Sequence, residues 1–223
     1  MSYYPVFLDL SCKKTVVIGG GVVAQRKIET LLECGANIHV ISRDLTPELQ
    51  DMLKKGYIRL LCHEFDESRV EDAFLIIIAT NDRDLNQRVS GIARRRNILV
   101  NVVDQPEECS FIVPSVIKRG DLLIAISTSG KSPAMAKRIR ETLEAQFGNE
   151  YGSFLNMMGR IRKQLRLDGI PEHERARTFQ ELVDSHLLES IKKQDFTCMA
   201  SELKRILKRE ISCDDVIDYM KDE

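Results

Sequence analysis

The 223-residue chain reads as an α/β protein: a parallel sheet wrapped by helices, then a small α+β segment, then a C-terminal helical domain. Three observations carry that reading. Short apolar runs alternate with stretches of helical periodicity through the first half of the chain, the pattern of repeated βαβ units. The first run, Thr15 to Ile18, breaks into Gly19-Gly20-Gly21 and at once into a helical stretch. Beyond Gly148 every periodic stretch is helical.

The opening unit sets the frame. Its glycines are spaced G-x-G-x-x-A, ending on Ala24, which is the spacing of a dinucleotide-binding turn. Gly19 is placed to make the turn, Gly21 to let the backbone approach a pyrophosphate, and Ala24 to let the helix lie close on the strand. The helix N-terminus offers free N–H groups and partial positive charge to phosphates. Gly19, Gly20, Gly21, Val22 and Val23 are therefore the expected cofactor contacts. Val22 to Cys34 forms the helix and stops at Gly35. Asn37 to Ser42 is a second strand, ending in Ser42-Arg43-Asp44 about 20 residues past the glycines, where the ribose-binding acidic residue is expected. That triplet stays ambiguous: Asp44 suits the ribose hydroxyls of NAD, whereas Arg43 suits the extra phosphate of NADP, and a solvated turn before a helix capped by Thr46 needs neither.

Tyr57 to Cys62 makes the third strand and Phe74 to Ala79 the fourth, which is continuous and apolar as a strand covered on both faces should be. The fourth ends at Thr80-Asn81-Asp82, either a cofactor contact for Thr80 and Asn81 or ordinary helix capping. Ile98 to Val103 is the fifth strand and runs into Asp104-Gln105-Pro106. A carboxylate at the C-terminal end of a parallel strand is well placed for proton transfer; alternatively Asp104 caps the turn made by Pro106. Phe111 to Lys118 and Leu122 to Thr128 read as a hairpin outside the parallel sheet. Ser127-Thr128-Ser129-Gly130-Lys131 then leads to a helix with Ser132 as cap and Pro133 at its first position, and from position alone capping is the favoured reading. The expected parts are residues 1–113 for the sheet domain, 114–148 for the small segment and 149–223 for the helical domain.

Composition narrows the function. With 33 basic and 34 acidic side chains, the chain carries no global electrostatic case for binding nucleic acid or an anionic membrane. No apolar run approaches the roughly 20 residues that span a bilayer, and no basic region with an apolar signal core opens the chain; a cytoplasmic protein is expected. The six cysteines are scattered without C-x-x-C or histidine spacing, which argues against a zinc site, and their apolar surroundings suggest buried thiols. No metal ligands are assigned; His39 reads as a core residue, and His63, His173 and His186 show no site-forming spacing.

Taken in series, Tyr4 to Leu10 (YPVFLDL), Val17 to Lys27 (VIGGGVVAQRK), Ile78 to Asp82 (IATND), Asn101 to Pro114 (NVVDQPEECSFIVP) and Ile126 to Arg140 (ISTSGKSPAMAKRIR) resemble the precorrin-2 dehydrogenase family, the NAD-dependent module also found at the N-terminus of siroheme synthases. The resemblance covers roughly residues 1–195. It implies a Rossmann-like domain, a dimerisation segment and a helical domain in a homodimer. It also implies oxidation of precorrin-2, a tetrapyrrole with eight carboxylates, to sirohydrochlorin with NAD; some members then insert ferrous iron. Asp104 matches the family's catalytic aspartate, and the resemblance gives Ser127, Thr128, Ser129, Gly130 and Lys131 a substrate-binding role. As the chain ends at Glu223, no methyltransferase domain is expected. The competing class is a non-catalytic NAD-binding dimer that senses redox state; it would keep the glycines and have no use for Asp104.

Overall fold

The computed structural model describes residues 3–221, in two compact units with their boundary between Val113 and Pro114. The first unit runs β1 (Lys14–Ile18), α1 (Val22–Glu33), β2 (Asn37–Ile41), α2 (Pro47–Lys54), β3 (Ile58–Cys62), β4 (Leu75–Ile78), α3 (Arg83–Arg95) and β5 (Leu99–Val102). All five strands are parallel, in the order β3-β2-β1-β4-β5. The chain enters at the centre and the order reverses beside β1. That is the doubly wound arrangement with its switch point between β1 and β4, and ligands of such sheets gather outside the strands' C-terminal ends.

Two cores explain the unbroken apolar strands. Val16, Ile18, Ile76, Ile78, Val100 and Val102 point to one face and pack with Val89, Ile92 and Ala93 of α3. The alternate residues Val17, Ile38, Val40, Leu75 and Ile77 point to the other and pack with Ala24, Ile28 and Leu49 of α1 and α2. Since successive strand side chains face opposite sides, covering both faces requires apolar residues at every position. Helix ends follow local chemistry: Thr46 and Asp82 cap α2 and α3 through their side chains, and Gly35 sits at φ +72° after α1.

The sheet's exposed margin at β5 is closed by the chain that follows it. After the turn at 103–105 the backbone returns alongside β5, where Ser110 N–H donates to the Val100 carbonyl at 2.8 Å and the Val100 N–H donates to Ser110 Oγ at 2.8 Å. Asn101, 9% exposed, donates from Nδ2 to the Phe111 carbonyl at 3.1 Å. Ser90 of α3 donates to Glu108, and Arg94 donates to the Glu107 carbonyl. Strand edges with unpaired backbone groups invite foreign pairing, and here side chains of the returning segment occupy them.

The second unit comprises β6 (Ser115–Arg119), β7 (Leu122–Ile126), α4 (Pro133–Gln146), α5 (Glu150–Leu167), α6 (Glu172–Val183), α7 (Leu187–Lys193), α8 (Phe196–Leu207) and α9 (Cys213–Met220). β6 and β7 form an antiparallel hairpin pairing Arg119 with Leu122, closed by two residues with Gly120 at φ +57°. A Cβ on Gly120 would lie 3.1 Å from the Cα of Gly152, so two glycines allow the turn to rest on α5. Phe154, Met157, Ile161 and Leu165 recur at helical spacing on α5 and meet Leu182, Leu187, Met199, Leu203 and Val216 in one core. The hairpin, α4 and the later helices thus fall within one compact unit.

One expectation fails. None of the six cysteines is buried: Cys12, Cys34, Cys198 and Cys213 are exposed, Cys62 and Cys109 are partly buried, and all are free thiols. The exposed four sit where elements begin or end, Cys12 in a turn at φ +59°, Cys34 at the end of α1, and Cys198 and Cys213 in the first turns of α8 and α9. Ends face solvent even in apolar segments.

Candidate functional site

Four loops follow the C-terminal ends of β1, β2, β4 and β5 and therefore share one edge of the sheet. The loop after β1 is made of backbone. Gly19 sits at φ +118°, and a Cβ there would lie 2.4 Å from the Ala79 carbonyl oxygen at the end of β4. Gly20 is buried; a Cβ would lie 2.0 Å from the Asp44 carbonyl oxygen and 2.7 Å from Ser42 Oγ. Around Gly21 nothing lies within 4 Å of the corresponding position. Gly21 is the N-cap of α1, without a side-chain cap and with no acidic residue in the helix's first turn. The positive end of the helix macrodipole is left facing open space, with Val22 and Val23 exposed beside it. A dinucleotide's pyrophosphate fits this cradle: backbone N–H donors, positive potential, and room that a side chain would fill. Ala24 is fully buried, so α1 does lie close on the sheet.

The corner after β2 folds onto the same loop. Ser42 Oγ donates to the Asp44 carbonyl at 2.7 Å, and Thr46 N–H donates to the Gly20 carbonyl at 3.0 Å. Ser42 is thereby a loop-building residue. Arg43 forms an exposed ion pair with Glu64 at 2.8 Å. The Asp44 side chain is exposed and has no hydrogen bond or ion pair among the described residues, which leaves its carboxylate available for hydroxyl donors. The register between β2 and β3 slips between Val40 and Ile41, immediately before this corner; such bulges re-aim the chain beside sites.

After β4, Thr80 Oγ1 donates to Oδ1 of the fully buried Asn86 at 2.7 Å and accepts from the Asp82 N–H at 3.2 Å. Thr80 holds the entry to α3, while Asn81 is exposed. Asp82 caps the helix through Leu85 N–H at 3.0 Å.

After β5, Asp104 is exposed and sits at φ +60°, a left-handed conformation that costs most side-chain-bearing residues about 1–2 kcal/mol. It occupies a tight turn whose closing bond, Gln105 N–H to the Val102 carbonyl, is 3.4 Å long. The capping reading of Asp104 fails: its carboxylate accepts no hydrogen bond among the described residues, and the short helical turn at Pro106–Glu108 has no side-chain cap. With neighbouring strands about 4.8 Å apart and β4 between them, the loops after β1 and β5 lie roughly 10 Å apart across the edge.

The hydroxyl-rich loop belongs to the second unit. Thr128 Oγ1 donates to the Ser132 carbonyl at 3.0 Å and accepts from its N–H at 3.2 Å. Ser127 Oγ accepts from the Ser129 N–H at 3.0 Å, and Ser132 caps α4 through Met135 N–H at 3.2 Å. Ser129 at φ +53° and Gly130 at φ +79° form the centre of a turn closed by Lys131 N–H to the Thr128 carbonyl at 3.0 Å. Thr128 and Ser132 are thus engaged in building the loop, while Ser127, Ser129, Gly130 and Lys131 are exposed. On α5, Arg162 stacks over the Phe179 ring at 4.5 Å, and Arg162, Lys163 and Arg166 are exposed. Among the described residues no group of three or more His, Cys, Asp or Glu could hold a metal ion, and no helix is long and apolar enough to cross a membrane.

Sequence pattern therefore located the sheet-edge residues but did not distinguish their tasks. It grouped Gly20, Ser42 and Thr80 with the cofactor contacts, and the structure gives these three a loop-building task as well. The signal for Gly20 was its place between two other glycines; the signal for Thr80 was the polar Asn86 on the buried face of α3.

Comparison with known proteins places these features. A family model described as "Putative NAD(P)-binding" matches residues 6–115, and one described as "Sirohaem biosynthesis protein central" matches residues 119–146. Siroheme synthase 1 of Serratia proteamaculans (strain 568) is 41% identical over 177 residues, 78% of this chain and 37% of that protein. Siroheme synthase of Enterobacter sp. (strain 638) is 36% identical over 213 residues, 95% of this chain and 47% of that protein. The chain spans less than half the length of these two relatives. A solved structure of SirC, precorrin-2 dehydrogenase, is similar with a TM-score of 0.74 and 27% identity, covering 93% of this chain and 100% of that one.

Proposed function

We propose, from the premise that the chain belongs to the siroheme synthase and precorrin-2 dehydrogenase family, that it oxidises precorrin-2 to sirohydrochlorin with NAD. The observation that carries this reading is Asp104: an exposed carboxylate in a left-handed turn, without a partner among the described residues, on the same sheet edge as an open glycine cradle. A redox sensor needs the cradle and has no use for such a residue.

The nicotinamide cofactor, when bound, supplies the hydride acceptor. The protein's residues do the remainder. Gly21 and the first N–H groups of α1 hold the pyrophosphate, with Val22 and Val23 beside it. Asp44 takes the ribose hydroxyls, which supports NAD over NADP, since Arg43 is engaged by Glu64. Asp104 accepts the proton that leaves precorrin-2 as its hydride departs, the task of a general base. Ser127, Ser129 and Lys131, exposed at a loop built by Thr128 and Ser132, meet the substrate's carboxylates. Residues 114–148 form the dimerisation segment of a homodimer, 149–223 its helical domain, and the enzyme works in the cytoplasm.

The test is an anaerobic assay with precorrin-2 and NAD, following NADH and sirohydrochlorin by absorbance. Native protein should turn over, and Asp104→Ala should lose at least about 1,000-fold in kcat, a large general-base effect, while binding NAD normally. NAD binding without NADH formation by native protein would leave the sensor reading standing. Adding ferrous ion to the completed reaction shows whether iron insertion accompanies oxidation.

A further inference from the structure

Asp104 lies between Val102 and Gln105, and a single atom touches both of those residues. Sγ of Cys109 accepts from the Val102 N–H at 3.2 Å and shares its own hydrogen between the carbonyls of Val102, at 3.3 Å, and Gln105, at 3.3 Å. Asn101 Nδ2 adds a fourth contact at 3.5 Å. The turn that carries Asp104 has only one backbone bond across it, at 3.4 Å, which is beyond the usual range for N–H to oxygen. Asp104's own carboxylate adds nothing, and its left-handed backbone favours escape.

We propose that the Cys109 thiol is the positioning residue for Asp104, clamping Val102 and Gln105, the first and last residues of its turn, so that the carboxylate is held for proton transfer. The proposal rests on Asp104 being the general base. Cys109 itself stays clear of the reaction: it is partly buried and turned towards the turn's backbone. It needs its hydrogen for this task, and burial pushes the thiol above the ordinary cysteine range, keeping it protonated and unreactive. Ser110 performs the neighbouring task for Val100, so the adjacent Cys-Ser pair fastens the backbone of two alternate residues of β5, Val100 and Val102, at the edge of the sheet. The hydroxyl fastens strand alone, whereas the thiol also spans the functional turn.

Steady-state kinetics on Cys109→Ala and Cys109→Ser, normalised to NAD-binding sites so that any unfolded fraction is excluded, tests it. Cys109→Ala should lower kcat about 10–100-fold, the scale of a base displaced by an ångström, with KM for NAD within about twofold of native. Cys109→Ser keeps a donor and an acceptor on the same atom and should recover kcat to within about fivefold of native. A kcat for Cys109→Ala equal to native per binding site, or no recovery with serine, overturns the proposal. Asp104→Ala measured alongside separates the two claims. Loss of activity there with none in Cys109→Ala removes only the clamp, whereas full activity in Asp104→Ala removes the base on which the clamp depends.

Discussion

The turn after β1 and the turn after β5 stand on the same edge of one sheet and both need a residue at positive φ, yet they meet the need in opposite ways. At Gly19 the left-handed conformation is free of strain, because there is no Cβ and the site's donors are backbone N–H groups. At Asp104 the role we propose lies in the side chain, so glycine is no option, and the residues that frame the turn are bonded from elsewhere, by Cys109 of the returning segment. A grip on phosphate can be built by removing side chains; a base cannot. The glycine turn is consequently held by close packing, and the Asp104 turn by hydrogen bonds.

The largest expected effect breaks the cradle. Gly20→Ala would push a methyl group to 2.0 Å from a backbone oxygen, where neither side can yield, and should destabilise the first unit by about 4 kcal/mol or more, read as a fall in the urea midpoint. Gly21→Ala meets open space and should leave stability within about 1 kcal/mol of native, the scale of a changed N-cap. By obstructing the pyrophosphate it should weaken NAD binding roughly 10–100-fold, about 1.4–2.8 kcal/mol, measured by titration calorimetry. Equal effects of the two substitutions on stability would erase the distinction between a packing glycine and a binding one.

Asp104→Gly probes the other turn. It relieves the left-handed backbone, so stability should be retained or rise by up to about 1 kcal/mol while turnover is lost, the trade between stability and activity expected at a strained site. Thermal melts beside the assay decide it; a clear loss of stability would mean that Asp104 holds the turn rather than being held in it.

The smallest effect concerns the sheet beneath. His39 is 7% exposed, and burial, above all other influences, holds its pKa below the ordinary 6.5. The folded state thus binds the proton more weakly than the unfolded chain, so the stability contributed is present above about pH 6.5 and is lost as the pH falls through it. Denaturant midpoints measured from about pH 8 down to 5 should decline in native protein and decline less in His39→Gln, whose side chain does not titrate in that range.

Much of this molecule was legible before its structure. Period and punctuation alone gave five parallel strands, the hairpin and the helical tail, with the sheet's strand ends displaced by about a residue and the hairpin beginning at Ser115 rather than Phe111, because an apolar run on a doubly covered sheet has few other uses. G-x-G-x-x-A announced a cradle, since its demand for absent side chains leaves a mark in composition. The fate of the cysteines was not legible: Cys34 follows α1 and is exposed, whereas Cys109 follows two glutamates and is partly buried, and only packing sets it across the Asp104 turn.

The chain's residues by themselves determined the sheet, the order of its units, the glycine turn after β1 and the place of Asp104 just past β5, because each depends on neighbours a few positions away. Tertiary structure alone decided that the space at Gly20 is filled by the Asp44 carbonyl while Gly21 stands open, that Thr80 serves Asn86, and that the Asp104 carboxylate accepts no hydrogen bond among the described residues. Those outcomes depend on which distant segments meet at the sheet's edge, and contacts of that kind have no period for a sequence to display.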